Sequence, residues 1–196
     1  MIQIVLATTN SAKVKEFVGI LGETAEIVVF GDLPPVVEAG ETLIEHAFKK
    51  ARSAADNLGC IALADDSGLF VDALGGRPGV HSARFAGPDS SDAANRSKLF
   101  SMLEGIGDRT AHFETVLCLC APGAALEDAL YFEGRCEGHL SDQERGSNGF
   151  GYDPMFVPLE GDGRTFGEMT PDEKSELSHR SRAISKLKDF LVDRVD

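Results

Sequence analysis

"IALADDSGLFVDALGGRPGVHSARFAG", residues 61–87, opens on four apolar residues and then sets two acids side by side. Ile61 to Ala64 reads as a buried strand, and Asp65-Asp66-Ser67-Gly68 as the polar loop that ends it, since Asp-Ser-Gly is ordinary turn chemistry. Adjacent carboxylates repel, and acids at the mouth of a strand are costly unless something positive sits beside them. In open α/β sheets the space just beyond the carboxyl end of a strand is where ligands bind. The bland alternative is a solvated turn, and the rest of the chain has to decide between the two.

Upstream, Gln3 to Ala7 predicts a buried strand. From Ala12 to Leu21 the residues Val14, Phe17, Val18 and Leu21 recur at helical spacing, with Gly22 as a stop. Glu26 to Phe30 is a short strand, and Thr42 with Glu45 forms a capping box for a helix running to Gly59. Downstream, Ser91 caps a helix to about Glu104, and Thr110 to Ala121 is a long strand. Pro122-Gly123 turns it into an antiparallel partner near Ala129 to Glu137. The final helix turns Ile184, Leu187 and Leu191 inward. Helices and strands alternate first and a hairpin follows, so the chain is α/β with a mixed sheet: one domain over residues 1–196, in two lobes.

Of the 196 residues 42% are hydrophobic and 26% charged, the composition of a globular protein with a substantial core. No apolar run approaches the ~20 residues needed to span a bilayer. Met1 to Leu6 has no basic leader and passes directly into a Thr/Asn loop, which predicts a cytoplasmic protein without membrane association. The net charge of −13 speaks against a nucleic-acid polymer as partner, because such binding rests on Lys and Arg neutralising phosphates. A small nucleotide stays possible if cations and a metal gather locally. The four cysteines include no C-x-x-C pair and read as free core thiols.

Four polar clusters stand out. Thr8-Thr9-Asn10-Ser11-Ala12-Lys13, between a strand and a helix N-terminus, is suited to phosphate, though Asn10 or Ser11 as a plain N-cap explains it equally well. Asp65-Asp66-Ser67, with Glu38 or Glu41 in the preceding loop as a further ligand, offers hard oxygens for Mg²⁺, and Lys50 is placed to reach a phosphate. Gly149-Phe150-Gly151-Tyr152-Asp153 alternates aromatic faces with glycines, a pattern that lets a base stack at ~1–3 kcal/mol; Phe150 as a core anchor is the alternative. Lys174, His179 and Arg180 would aim at one pocket if Ser178 broke the helix between them, and would otherwise be a solvated helix start. Together they describe a nucleoside triphosphate site.

The stretches "LATTNSAKVKEF", "GETLIEHAFKKA", "ADDSGLFVDALGGRPGVHSARFAG", "GFGYDPMF" and "EKSELSHRSRAI" run in order from residue 6 to 184. In them the chain resembles the inosine/xanthosine triphosphate pyrophosphatase family. The resemblance implies a twisted mixed β-sheet with flanking helices, two lobes with a central cleft, and a homodimer. It implies Mg²⁺-dependent hydrolysis of ITP, dITP and XTP to the monophosphate and pyrophosphate, which protects nucleotide pools. Carried over by position, Thr8, Thr9, Asn10, Ser11, Ala12 and Lys13 would hold the triphosphate. Asp66 would be catalytic and a metal ligand with Glu38, while Asp65 would support the metal. Ser67 and Lys50 would touch phosphate. Phe150, Gly151, Tyr152 and Asp153 would cover the base, and Lys174, His179 and Arg180 would read its edge. Three positions depart from the family pattern: Thr9 stands for a usual Gly, Ser147-Asn148 for an acidic residue, and His46 for a frequent Asn.

Two rival readings are weighed against this one. A nucleotide-binding regulatory module would keep the cradle and platform but need not keep Asp65, Asp66 and Lys50. A pyrophosphatase for pyrimidine nucleotides is nearer, and Ser178-His179-Arg180 after Lys174 argues for purine instead.

Overall fold

The computed structural model describes residues 2–30, 36 and 40–193. Glu38, expected as a metal ligand, lies outside them. Strand β1 (Ile2–Leu6) feeds helix α1 (Ser11–Leu21), and β2 (Ala25–Val29) returns parallel to β1, pairing Ile2 with Ala25 through Leu6 with Val29. Helix α2 (Leu43–Leu58) begins at the expected Thr42–Glu45 capping box and ends at Gly59, which adopts the left-handed conformation (φ 65°). Next come β3 (Ala62–Val71), parallel to β1, and the short β4 (Pro78–Gly79), antiparallel to β3.

Helix α3 (Asp92–Met102) is capped by Ser91, and the long strands β5 (Thr110–Cys120) and β6 (Leu130–Leu140) follow. Strand β7 (Phe156–Pro158) is antiparallel to β6. Helices α4 (Pro171–Leu177) and α5 (His179–Val192) close the chain, and the extended Ser178 between them (φ −72°, ψ 150°) makes the expected break. The sheet order is β2-β1-β3-β5-β6-β7 with β4 on β3, so the sheet is mixed, as the sequence implies.

One expectation is corrected here. The chain does not turn at the acid pair: β3 stays extended for 10 residues and carries Asp65 and Asp66 at its middle. A strand alternates its side chains between faces, so neighbouring acids are turned apart rather than crowded into one loop. The alternation also lets the strand continue through Leu69 and Val71, both buried.

The chain divides into two compact units: residues 1–66, 115–134 and 180–196, and residues 67–114 and 135–179. In the first, Ile4, Leu6, Leu63 and Leu117 of the strands pack with Phe17 and Leu21 of α1 and Ile184, Leu187 and Leu191 of α5. On the opposite face Val5 and Ala62 meet Ala54 and Ala55 of α2. In the second unit, Leu69, Val71, Phe113, Cys136 and Phe156 pack with Leu99 of α3, with Leu103 just after it, and with Tyr152, Met155 and Phe166. All four cysteines are free thiols.

Strand β4 approaches β3 at Gly68, where a Cβ would lie 2.5 Å from the carbonyl oxygen of Gly79. Gly68→Ala must therefore push backbone against backbone, and is expected to cost about 1–3 kcal/mol in urea denaturation. Gly19→Ala, on α1 with nothing within 4 Å of the added carbon, is expected to stabilise by about 0.5–1 kcal/mol in the same assay.

Candidate active site

Strand β3 presents its two acids, both in the first unit, to different helices. Asp65 shares a face with Leu63, and its Oδ2 lies 2.8 Å from Lys13 Nζ of α1 and 3.2 Å from Arg180 Nε of α5. Arg180 also places Nη1 2.8 Å from Glu16 of α1. Burial alone would raise the Asp65 pKa, but the charges of Lys13 and Arg180 outweigh it and hold the carboxyl well below the usual carboxylate range. Burial pushes Lys13 the other way, lowering its pKa against the pull of Asp65.

Asp66 faces α2. Lys50 Nζ lies 2.5 Å from its Oδ1, and Nδ1 of the fully buried His46 lies 3.2 Å from its Oδ2. The other ring nitrogen of His46 is 3.1 Å from the carbonyl oxygen of Gly40. His46 and Lys50 stand four residues apart on one helix face, so a single helix addresses both oxygens of one carboxylate. Ser67 follows on β3, partly buried.

At the start of α1, Asn10 is the N-cap: its side-chain oxygen accepts from the N–H groups of Ala12 (2.9 Å) and Lys13 (3.3 Å). The Asn10 N–H in turn donates to Thr8 Oγ1, while Thr9 and Ser11 are exposed. The plain-cap reading thus accounts for Asn10. The first turn carries no acid and one lysine, so it keeps a net positive end.

The second unit holds the glycine-aromatic loop. Asp153, buried, accepts on Oδ2 from the Phe150 N–H (2.8 Å) and from Lys174 Nζ (2.7 Å). Lys174 also stands 4.9 Å from the ring centroid of Phe150 and 5.5 Å from that of Phe166, within cation–π range of both. Gly149 has φ 77°, and a Cβ there would collide with the Asp153 carboxylate, so the tight loop requires glycine. Gly151 is held from α3 on both sides: its N–H donates to Asp92 (2.7 Å) and its carbonyl accepts from Arg96 (2.7 Å). Tyr152 is a core residue whose hydroxyl donates to the Ser82 carbonyl, and burial raises its pKa. His179 is buried and stacks on Phe113, with centroids 4.6 Å apart and planes 9° from parallel.

Lys174 and His179 accordingly belong to the second unit, whereas Arg180 belongs to the first and is engaged with acids there. Sequence reasoning overlooked His46 as a partner of Asp66, Glu16 as a partner of Arg180, and Asp92 and Arg96 as the clamp on Gly151. Helical spacing carried the signal in each case: His46 lies four residues before Lys50, Glu16 three after Lys13, and Asp92 four before Arg96.

Among the described residues no group of three or more His, Cys, Asp or Glu is arranged to hold a metal. An all-protein cage is what Zn²⁺ or Ca²⁺ would need; Mg²⁺ is held by one or two carboxylates with substrate phosphates and water. The hard oxygens of Asp66 are a donor set of that second kind.

Comparison with known proteins gives the same direction. The Ham1 family's sequence model matches residues 4–190. A dITP/XTP pyrophosphatase of Syntrophobacter fumaroxidans is 50% identical over 190 residues, 94% of this chain and 79% of that one. A second, from Geobacillus kaustophilus, is 45% identical over 95% of this chain and 93% of its own. Among solved structures, a HAM1 protein from Coxiella burnetii superposes with a TM-score of 0.89 at 38% identity, covering 98% of this chain and 100% of that one. The family resemblance read from the five sequence stretches is thereby borne out, and the chain belongs to the Ham1 family.

Proposed function

We propose that the chain hydrolyses non-standard purine nucleoside triphosphates (dITP, ITP and XTP) to the monophosphate and pyrophosphate. The observation that carries the reading is Asp66, an acid in mid-strand whose two oxygens are engaged by Lys50 and His46, in a chain whose relatives of up to 50% identity are named dITP/XTP pyrophosphatases. Asp66 orients a water and takes its proton as the water oxygen bonds to the α-phosphorus. The α–β phosphoanhydride bond breaks and pyrophosphate leaves.

Lys13 and Lys50 offset the charge that grows on the leaving group. Each ammonium has three donors, so one can stay on a carboxylate while others meet phosphate. Thr8 to Lys13 and Ser67 contribute hydroxyl and N–H donors. Mg²⁺ is the proposed cofactor; Asp66, with Glu38 as the resemblance implies, would hold it, and it would supply Lewis-acid polarisation of the phosphate. Asp65 contributes as the counter-charge that keeps Lys13 and Arg180 in place.

Base selection is the task proposed for Phe150, Lys174 and His179. Phe150 offers a ring face, and Lys174 and His179 offer donors to the 6-oxo group of hypoxanthine or xanthine. Adenine carries an amino donor there and would leave those donors unpaired, a discrimination that can reach ~10⁴-fold. The resemblance further supports a cytoplasmic homodimer, and the acidic net charge supports a free nucleotide as partner over a polymer.

Pyrophosphate release from ITP, XTP, GTP, ATP and dTTP, with Mg²⁺ and with chelator, tests the reading directly. Metal-dependent release favouring ITP and XTP is expected; preference for dTTP would move the base specificity, and binding of ITP without turnover would make the protein a regulatory module. Asp66→Asn should lower kcat by about 10²–10⁴-fold while the thermal melt stays cooperative.

Asp65→Asn should act on stability, because it takes the carboxylate from Lys13 and one of its two acids from Arg180; the expected loss is about 3–5 kcal/mol. The folded pKa of Asp65 is depressed, so its contribution is complete above the unfolded value of about 3.9 and is lost only as pH falls below that. Denaturation curves of the two proteins should differ by a constant amount from pH 8 down to about pH 4 and converge below it.

A further inference from the structure

His46 is fully buried, and both its ring nitrogens point at oxygens that only accept: the Asp66 carboxylate at 3.2 Å and the Gly40 carbonyl at 3.1 Å. A Cβ added to Gly40 would lie 3.1 Å from the ring's Cδ2, so the backbone at Gly40 is packed against the imidazole. Lys50, which meets the other oxygen of Asp66, is of a different kind. Its ammonium ends a flexible four-carbon stem, and its side chain keeps 20% of its surface exposed.

We propose that His46 is a positioning residue for the pyrophosphatase reaction: it fixes the plane of the Asp66 carboxylate by tying Oδ2 through a rigid ring to the backbone at Gly40. The inference rests on the function proposed above. Lys50 holds Oδ1, but the reaction asks Lys50 to turn part of its donor capacity toward phosphate. At that moment the hold of Lys50 on Oδ1 is weakened. The imidazole has no such second task. It keeps Asp66 aimed while Lys50 moves, which is the role that partners behind a reacting carboxylate commonly play, and their loss typically costs 10–100-fold in activity.

The test compares His46→Leu, His46→Asn and His46→Gln with Mg²⁺ and ITP, each checked by thermal melting. Leucine keeps the apolar volume and removes both polar contacts, so kcat should fall about 10–100-fold with KM within about threefold of wild type. The amide nitrogen of asparagine takes the place of Nδ1 and can donate to Asp66, so His46→Asn should recover most of kcat; His46→Gln, which mimics Nε2, should not. A purely packing role predicts the reverse order, with leucine active and asparagine impaired, and that order would overturn the proposal.

A readout that needs no turnover is the Nδ1–H signal of His46 in the metal-free protein. It should exchange slowly and disappear in Asp66→Ala; a rapidly exchanging signal in the wild type would overturn the contact. A wild type that releases no pyrophosphate from any nucleotide overturns the assigned reaction and this role with it, whatever the N–H signal shows. An active wild type whose leucine variant keeps its kcat overturns the role of His46 alone.

Discussion

Asp65 and Asp66 can stand next to each other because an extended strand sends them to opposite faces of the sheet, where each meets its own partners. On one side Asp65 draws in Lys13 of α1 and Arg180 of α5; on the other, Asp66 takes Lys50 and His46 of α2. Three helices from distant parts of the chain are thereby tied to two consecutive residues of one strand. A single carboxylate could not do this. Two in one turn would repel and compete for the same cations. The strand geometry turns an apparent liability into the organising contact of the first unit.

In the second unit one carboxylate does comparable work over a shorter range. Asp153 accepts from the Phe150 N–H and from Lys174, closing the loop on itself and bringing an ammonium over the Phe150 ring. At Gly151 the loop is held by Asp92 and Arg96 of α3, which grip both sides of that residue's backbone. A loop closed in this way is ordered before any ligand arrives, so binding there would not have to include the cost of ordering it. The tight backbone at Gly149 is the condition for the closure, and it explains why glycines surround the aromatics.

Much of this was legible in the chain itself. The capping box at Thr42–Glu45, the break at Ser178 and the alternation of helix and strand are local signals, and local signals survive in any tertiary context. The turn expected at Asp65 failed for the opposite reason: Asp-Ser-Gly prefers a turn only while nothing else claims the acids, and the claimants come from α1, α2 and α5. Tyr152 and Phe150 look alike in an aromatic-glycine run, yet one is sealed in the core by its bond to Ser82 and the other is only partly covered. Arg180 follows His179 directly, but the two take up partners in different units. Pairings across long sequence separations decide these cases, and spacing along the chain does not encode them.

Helix α1 shows what such a site costs. Its first turn has no acid, and it carries Lys13 at the positive end of the helix dipole, where a cation is disfavoured by about 0.3–1 kcal/mol. Burial of that lysine lowers its pKa further, so the charge is held there by Asp65. Fully buried acid–base clusters are often no more stabilising than apolar residues of the same volume. Stability alone therefore gives no reason to gather Lys13, Arg180, Glu16 and Asp65 in one place. An anionic ligand at the helix start, as proposed above, supplies one: it adds negative charge beside the positive end of the α1 dipole. Places where local rules are broken in concert are where function is expected to sit, and here the violations converge on the helix start and on the strand that faces it.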